Sequence, residues 1–261
     1  MIYLINYANE PYAKMQKFQS YTAKHFGGVD KIIEFSDKDI IEDKEFYKEN
    51  EKILKIKKGN GLWLWKPYII HKTLSSLSEN DILIYSDVDT IFLDNIEPLI
   101  SAMLKEDKYL MVFDSPNKEY QYTKYNLCID MDLTSEFILN TRQRYASYNI
   151  WRKSDLTLNF LSQWLNYCSQ YKLISDDVTA YNDKYGNEFV RHLHDQSIFS
   201  LLTKKHAIQS LRDPSNWGNK LKKEYPNSNY EQILYNGVAN SRKLWILTRL
   251  LGKSHLNKFK K

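Results

Sequence analysis

The chain has 261 residues, 43% hydrophobic and 26% charged, a composition that excludes wholesale disorder and suffices for one large α/β core or two small ones. Its two cysteines, Cys128 and Cys168, lack both metal-ligand and disulfide-framework spacing, which fits a reducing compartment. The net charge of +5 is concentrated at the end, where Arg242, Lys243, Arg249, Lys253, Lys258, Lys260 and Lys261 follow Gln232 without a single acid; the body is mildly acidic, and nucleic acid is excluded as its partner.

No repeat, low-complexity tract or linker divides the chain. "MIYLINY" is too short and too uncharged at its start for a leader and predicts a first strand, closed by "ANEP"; a helix from Tyr12 to about His25 and a second strand in "VDKIIEF" complete a β-α-β opening. The protein is therefore expected in the cytoplasm. "KEFYKENEKILKI" predicts a helix, and "KGNGLWLWKPYII" predicts a glycine-rich loop with two tryptophans and a helix that takes Pro67 in its first turn. "DILIYSD" and "YLMVFD" predict buried strands. "SYNIWRKS" predicts another strand, "DLTLNFLSQWLNYCSQY" a helix with positions 156, 160, 161, 164, 165, 168 and 171 on its apolar face, and "HDQSIFSLLTKKH" a helix that Asp195 is placed to cap. Strands alternating with helices specify an α/β fold with a mainly parallel sheet covered on both faces.

"LIYSDVDTIF" sets two acids at the end of the most apolar strand. Ligands of open α/β sheets bind at the carboxyl ends of strands, so Asp87 and Asp89 stand where a site is expected. If the strand continues through Val88, both carboxylates face one side. Two such hard ligands suit Mg²⁺ or Mn²⁺ completing its shell with water and substrate phosphates, which implies a diphosphate substrate. The alternative is an ordinary turn or helix cap. In "GNGLWLWKP", Gly59 and Gly61 permit close backbone approach and Lys66 offers a point charge for a diphosphate. Trp63 or Trp65 either packs on a base or sugar, or staples the loop to the core.

Taken together and in this order, "KGNGLWLWKPYII", "DILIYSDVDTIF" and "RHLHDQSIFSLL" resemble the nucleotide-sugar-dependent glycosyltransferases of the GT-A fold, particularly the bacterial capsule and polysaccharide type, over residues 1 to 212. The resemblance implies that Asp89 ligates the metal and that Asp87 contacts the ribose or a metal-bound water. It implies that Asn6, Tyr7 and Ala8 lie against base and ribose through their backbone. It implies that Asp195 and Gln196 hold the donor sugar's hydroxyls or sit beneath its anomeric carbon, where an oxygen stabilises an oxocarbenium-like state. Asp195 as a plain helix cap is the alternative. His194, and less so His192, is a candidate third ligand or sugar contact, and Asp176 and Asp177 are candidate acceptor bases or an ordinary helix start.

These readings divide the chain into a GT-A-like domain, 1 to 225, and a basic tail, 226 to 261. A helical tail would gather Leu244, Leu247, Leu251 and Phe259 on one side and Arg242, Arg249 and Lys253 on the other, which suits either an anionic membrane surface on the inner face of the cell or packing on the domain. The expected activity is metal-assisted sugar transfer, with a UDP-sugar favoured as donor and a surface glycan or lipid-linked oligosaccharide as acceptor. No residue stands out as an acceptor base, which favours retention. The competing readings are a nucleotidyl or phosphoryl transferase using the same acids, and a non-catalytic glycan-binding membrane-associated protein.

Overall fold

The structure is a computed structural model that describes residues 1–177, 185–226, 228 and 230–237. Its centre is a five-stranded sheet. Strand β1 (Ile2–Tyr7) lies parallel to β2 (Lys31–Phe35) on one side and to β3 (Ile82–Ser86) on the other. Strand β4 (Thr90–Phe92) leaves this sheet, β5 (Leu110–Met111) forms its far edge, and β6 (Asp114–Lys118) pairs with β7 (Arg142–Arg144) in a separate ribbon. Strand β8 (Tyr148–Arg152), the predicted "SYNIWRKS" strand, runs antiparallel to both neighbours, so the sheet is mainly and not wholly parallel.

Two-residue alternation along the strands builds a core on each face. Ile5, Leu83, Tyr85 and Trp151 meet the helices Trp65–Ser76, Asp155–Cys168 and Asp195–Lys205, while Leu4, Ile84 and Ile150 meet residues of the helices Ala13–His25 and Glu97–Lys105. β3 is buried at every position, the signature of a central strand. The predicted apolar face of Asp155–Cys168 holds at Phe160, Leu161, Trp164 and Cys168, but Leu156 is exposed because the helix enters there, capped by Ser154.

Two expectations change. "KEFYKENEKILKI" breaks at Asn50 into the short helices Lys44–Glu49 and Glu51–Leu54. The predicted "YLMVFD" strand joins the central sheet over Leu110–Met111 only, and its end turns to Leu211 and Arg144. Within the segment read as tail, β9 (Leu234–Asn236) pairs antiparallel with β4 and buries Tyr230, Ile233 and Leu234 in the second core. The tail residues Arg242 to Lys261 lie outside the described residues. Among the described residues no helix is long and apolar enough to cross a membrane.

Candidate functional site

β3 ends at Ser86, and the chain turns at once: the Thr90 N–H donates to the Asp87 carbonyl over 3.0 Å. Strand geometry therefore does not persist through Val88, and the turn that the sequence left open as the alternative is the one observed. The turn nevertheless presents both acids together, since Asp87 and Asp89 line each of two adjoining cavities, of about 490 and about 520 Å³. The first cavity is walled by Tyr7, Ala8, Tyr12, Asn60, Trp63 and Trp65. The second is walled by Lys58, Lys66, Ser147, His194, Asp195 and Gln196.

The glycine-rich loop reaches this place through left-handed backbone. Asn60, Gly61, Leu62 and Trp63 all have positive φ, and a side chain on Gly61 would press on the Leu54 backbone at 2.9 Å. This coil delivers Lys66 to the second position of the following helix, Trp65–Ser76. Its ammonium, 4% exposed, lies 2.9 Å from Asp195 Oδ2 and 3.4 Å from Asp87 Oδ1. Burial alone would lower the Lys66 pKa, but the two carboxylates outweigh it and hold the lysine charged. Tyr85, fully buried beneath, donates its hydroxyl to Asp87.

Asp195 is the first residue of its helix, after His194, and its carboxylate turns to Lys66 instead of serving as the predicted cap. Burial pushes its pKa up to about 6, against the pull of Lys66 and with a push from Asp87. Its Oδ2 is close to Lys66 yet lacks hydrogen-bond geometry. Gln196 reaches the second cavity but is already engaged: its amide donates to Gln143 Oε1 over 2.9 Å and its oxygen accepts the Ala146 N–H.

Asp89 is pushed up to about 6 by burial first and by the Asp87 charge second. The cluster of three carboxylates and one lysine thus holds more negative charge than it can neutralise. Among the described residues no group of three His, Cys, Asp or Glu side chains forms a metal cluster. Mg²⁺ or Mn²⁺ needs only one or two carboxylates beside water and phosphate oxygens, so the Asp87–Asp89 pair fits such an ion by charge and donor type.

The remaining predicted residues separate. Tyr7 and Ala8 line the first cavity, whereas Asn6 is fully buried, lines neither, and spends its amide on Gln16, Gln19 and Ser20. Trp65 stacks on Tyr7 at 3.8 Å and donates its indole N–H to the Gly59 carbonyl, so it staples the loop while lining the first cavity. Trp63, the other tryptophan of the pair, lines both cavities.

His194 packs beside Trp63, and its Nδ1 faces the Ile174 carbonyl at 2.7 Å. Burial lowers its pKa, so the ring is neutral with the proton on Nδ1, leaving Nε2 as a lone pair without a hydrogen-bond partner. Asp176 stands 3.4 Å from that Nε2 and is held by Lys58 at 2.7 Å. His192 is spent on the Leu173 carbonyl.

The mainly parallel central sheet with helices on both faces matches the GT-A fold of solved glycosyltransferases. Mouse xyloside xylosyltransferase 1 is similar over 92% of this chain and 99% of its own, with a TM-score of 0.51 at 12% identity. The galactosyltransferase LgtC, solved with donor and acceptor sugar analogs, is similar over 96% and 95%, with a TM-score of 0.51 at 13% identity. The bifunctional glycosyltransferase WbbM matches 94% of this chain with 46% of its own, at a TM-score of 0.54 and 9% identity. No protein-family model matches the sequence, and no curated protein is similar to it.

Proposed function

We propose that the protein transfers a sugar from a nucleotide diphosphate donor, a UDP-sugar being favoured, to a glycan or lipid-linked oligosaccharide. The observation that carries this reading is the Asp87–Asp89 turn forming the shared wall of both cavities, with Lys66 at its base. A donor is a molecule of two unlike halves joined by a diphosphate. One cavity offers aromatic rings and backbone to a nucleoside; the other offers carboxylate, imidazole and amide to a sugar.

In this reading the diphosphate crosses the turn. Asp87 and Asp89 would hold Mn²⁺ or Mg²⁺, which when bound supplies positive charge against the departing diphosphate. Lys66, kept charged by its two acids, adds a fixed cation beside the same oxygens. Asp195 lies on the sugar side, and Lys66 preserves the negative charge that an oxocarbenium-like state needs. Tyr7, Ala8 and Trp65 bound the nucleoside side; Asn6 supports them from behind. His194 Nε2 is an acceptor suited to a sugar hydroxyl, and Gln196 has one amide hydrogen to offer. Retention is favoured because no residue of the sequence stands out as an acceptor base. The basic residues beyond 237 suit an acceptor held at an anionic membrane surface.

Support for the class comes from LgtC and the xylosyltransferase, which share the fold. The test is a panel of UDP-, GDP- and CDP-sugars incubated with purified protein and Mn²⁺. One UDP-sugar should release UDP, and Lys66→Met should lower kcat/KM for it by roughly 100-fold or more. Release of sugar 1-phosphate in place of UDP, or no turnover of any donor, contradicts the proposal.

A further inference from the structure

The turn that carries the two acids is held from behind by a residue that touches no cavity. Gln19, on the inward face of Ala13–His25 and wholly buried, places its amide nitrogen 2.6 Å from the Asp87 carbonyl and 2.8 Å from the Thr90 carbonyl. The two ends of the turn thus share one donor group. With carbonyls as its two closest partners, the nitrogen must face the turn, and the opposite oxygen accepts from Asn6 Nδ2 at 2.8 Å.

The contacts continue. Asn6 Oδ1 accepts from Gln16 at 3.0 Å, and the same Gln16 amide donates to the Phe35 carbonyl at 2.8 Å. Three buried amides therefore connect the ends of β2 and β1 to the acidic turn. The Asp87 N–H is pinned from the far side by the Ser147 carbonyl at 2.7 Å. Such a network is costly to leave half-made in an apolar interior, which is why it fixes a single geometry.

We infer that Gln19 is a positioning residue: by clamping the Asp87 and Thr90 carbonyls it sets the relative placement of the two carboxylates, and through them the affinity for a divalent cation. This rests on the metal role assigned to Asp87 and Asp89 above. Neither carboxylate is bonded to Gln19, so its influence runs through the backbone alone.

The test compares wild type with Gln19→Met, which keeps the volume and removes the donor, and Gln19→Glu, which turns an acceptor toward two carbonyls. Hydrogen exchange reads the turn directly, and Mn²⁺ binding followed by the electron paramagnetic resonance of the free ion reads the consequence. The expected result is faster exchange confined to residues 86–92 and roughly tenfold weaker Mn²⁺ binding in Gln19→Met, with a larger loss in Gln19→Glu. Where Gln19→Glu does not fold, Gln19→Met decides alone, because the Asp87 carbonyl keeps its Thr90 partner. Unchanged exchange over 86–92, or full Mn²⁺ affinity despite faster exchange, overturns the inference. A wild type that binds no Mn²⁺ sinks the metal role instead; the exchange of 86–92 then still judges whether Gln19 holds the turn.

Discussion

Asp89 is a carboxylate in the wrong solvent. Burial and the neighbouring Asp87 push it up to about 6, above its ordinary 3.8. A carboxyl raised in the folded state favours folding only while it is protonated, so that contribution is complete below about pH 4 and lost as pH rises through about 6. Asp89→Asn removes the charge and keeps the shape. In the absence of divalent ions the variant should be more stable than wild type by about 1–2 kcal/mol at about pH 8, and equal to it near pH 4, as read by urea unfolding. Equal stability at both values would show that the carboxyl is unstrained. Asp87, Asp89, Lys66 and Asp195 were legible in the sequence because charge in an apolar stretch or beside glycine and proline stands out. Gln19 and Tyr85 were not: a neutral amide on a helix face and a tyrosine in a strand look alike wherever they occur. Trp63 and Trp65 were legible as a pair but not individually, since the left-handed coil that decides which one faces outward has no linear signature.

Elements were legible where periodicity ran long. β1, β3 and the helices Trp65–Ser76 and Asp155–Cys168 follow their patterns closely. β9 was missed because it depends on a partner far away in the chain. β9 lies beyond the predicted domain end, yet it pairs with β4, and the Gly237 N–H that follows it donates to the Asp89 carbonyl at 3.1 Å. The strand thus holds the second acid as Gln19 holds the first. Ending the chain at Gly237 keeps this pairing; ending it at Pro226 exposes the pocket of Tyr230, Ile233 and Leu234, whose side chains are each worth about 1.5–3 kcal/mol on burial. The first truncation should melt with the full chain and bind Mn²⁺ equally. The second should melt many degrees lower and lose the ion. Equal melting and equal ion binding in both would show β9 to be dispensable.

At the scale of the whole molecule, the two cores grip the sheet from both faces and leave its strand ends to meet the loops. Each loop brings one part: β1 its aromatic turn, the glycine coil its lysine, β3 its acids, and the Asp195–Lys205 helix its buried carboxylate. The topology predicted from alternation placed these parts at one edge. Their close convergence needed the antiparallel β8, whose preceding Ser147 anchors Asp87, and no local pattern announces a strand's direction.

The central proposal is that Asp87 and Asp89 would hold a divalent ion that strengthens binding of a nucleotide's diphosphate. Calorimetric titration of UDP at about pH 7.5, with and without Mn²⁺, measures it in wild type and Asp89→Asn. Mn²⁺ should tighten UDP binding by roughly tenfold or more in wild type and by less than about twofold in the variant. UDP affinity indifferent to Mn²⁺ in wild type, or an undiminished Mn²⁺ effect in Asp89→Asn, would contradict the account.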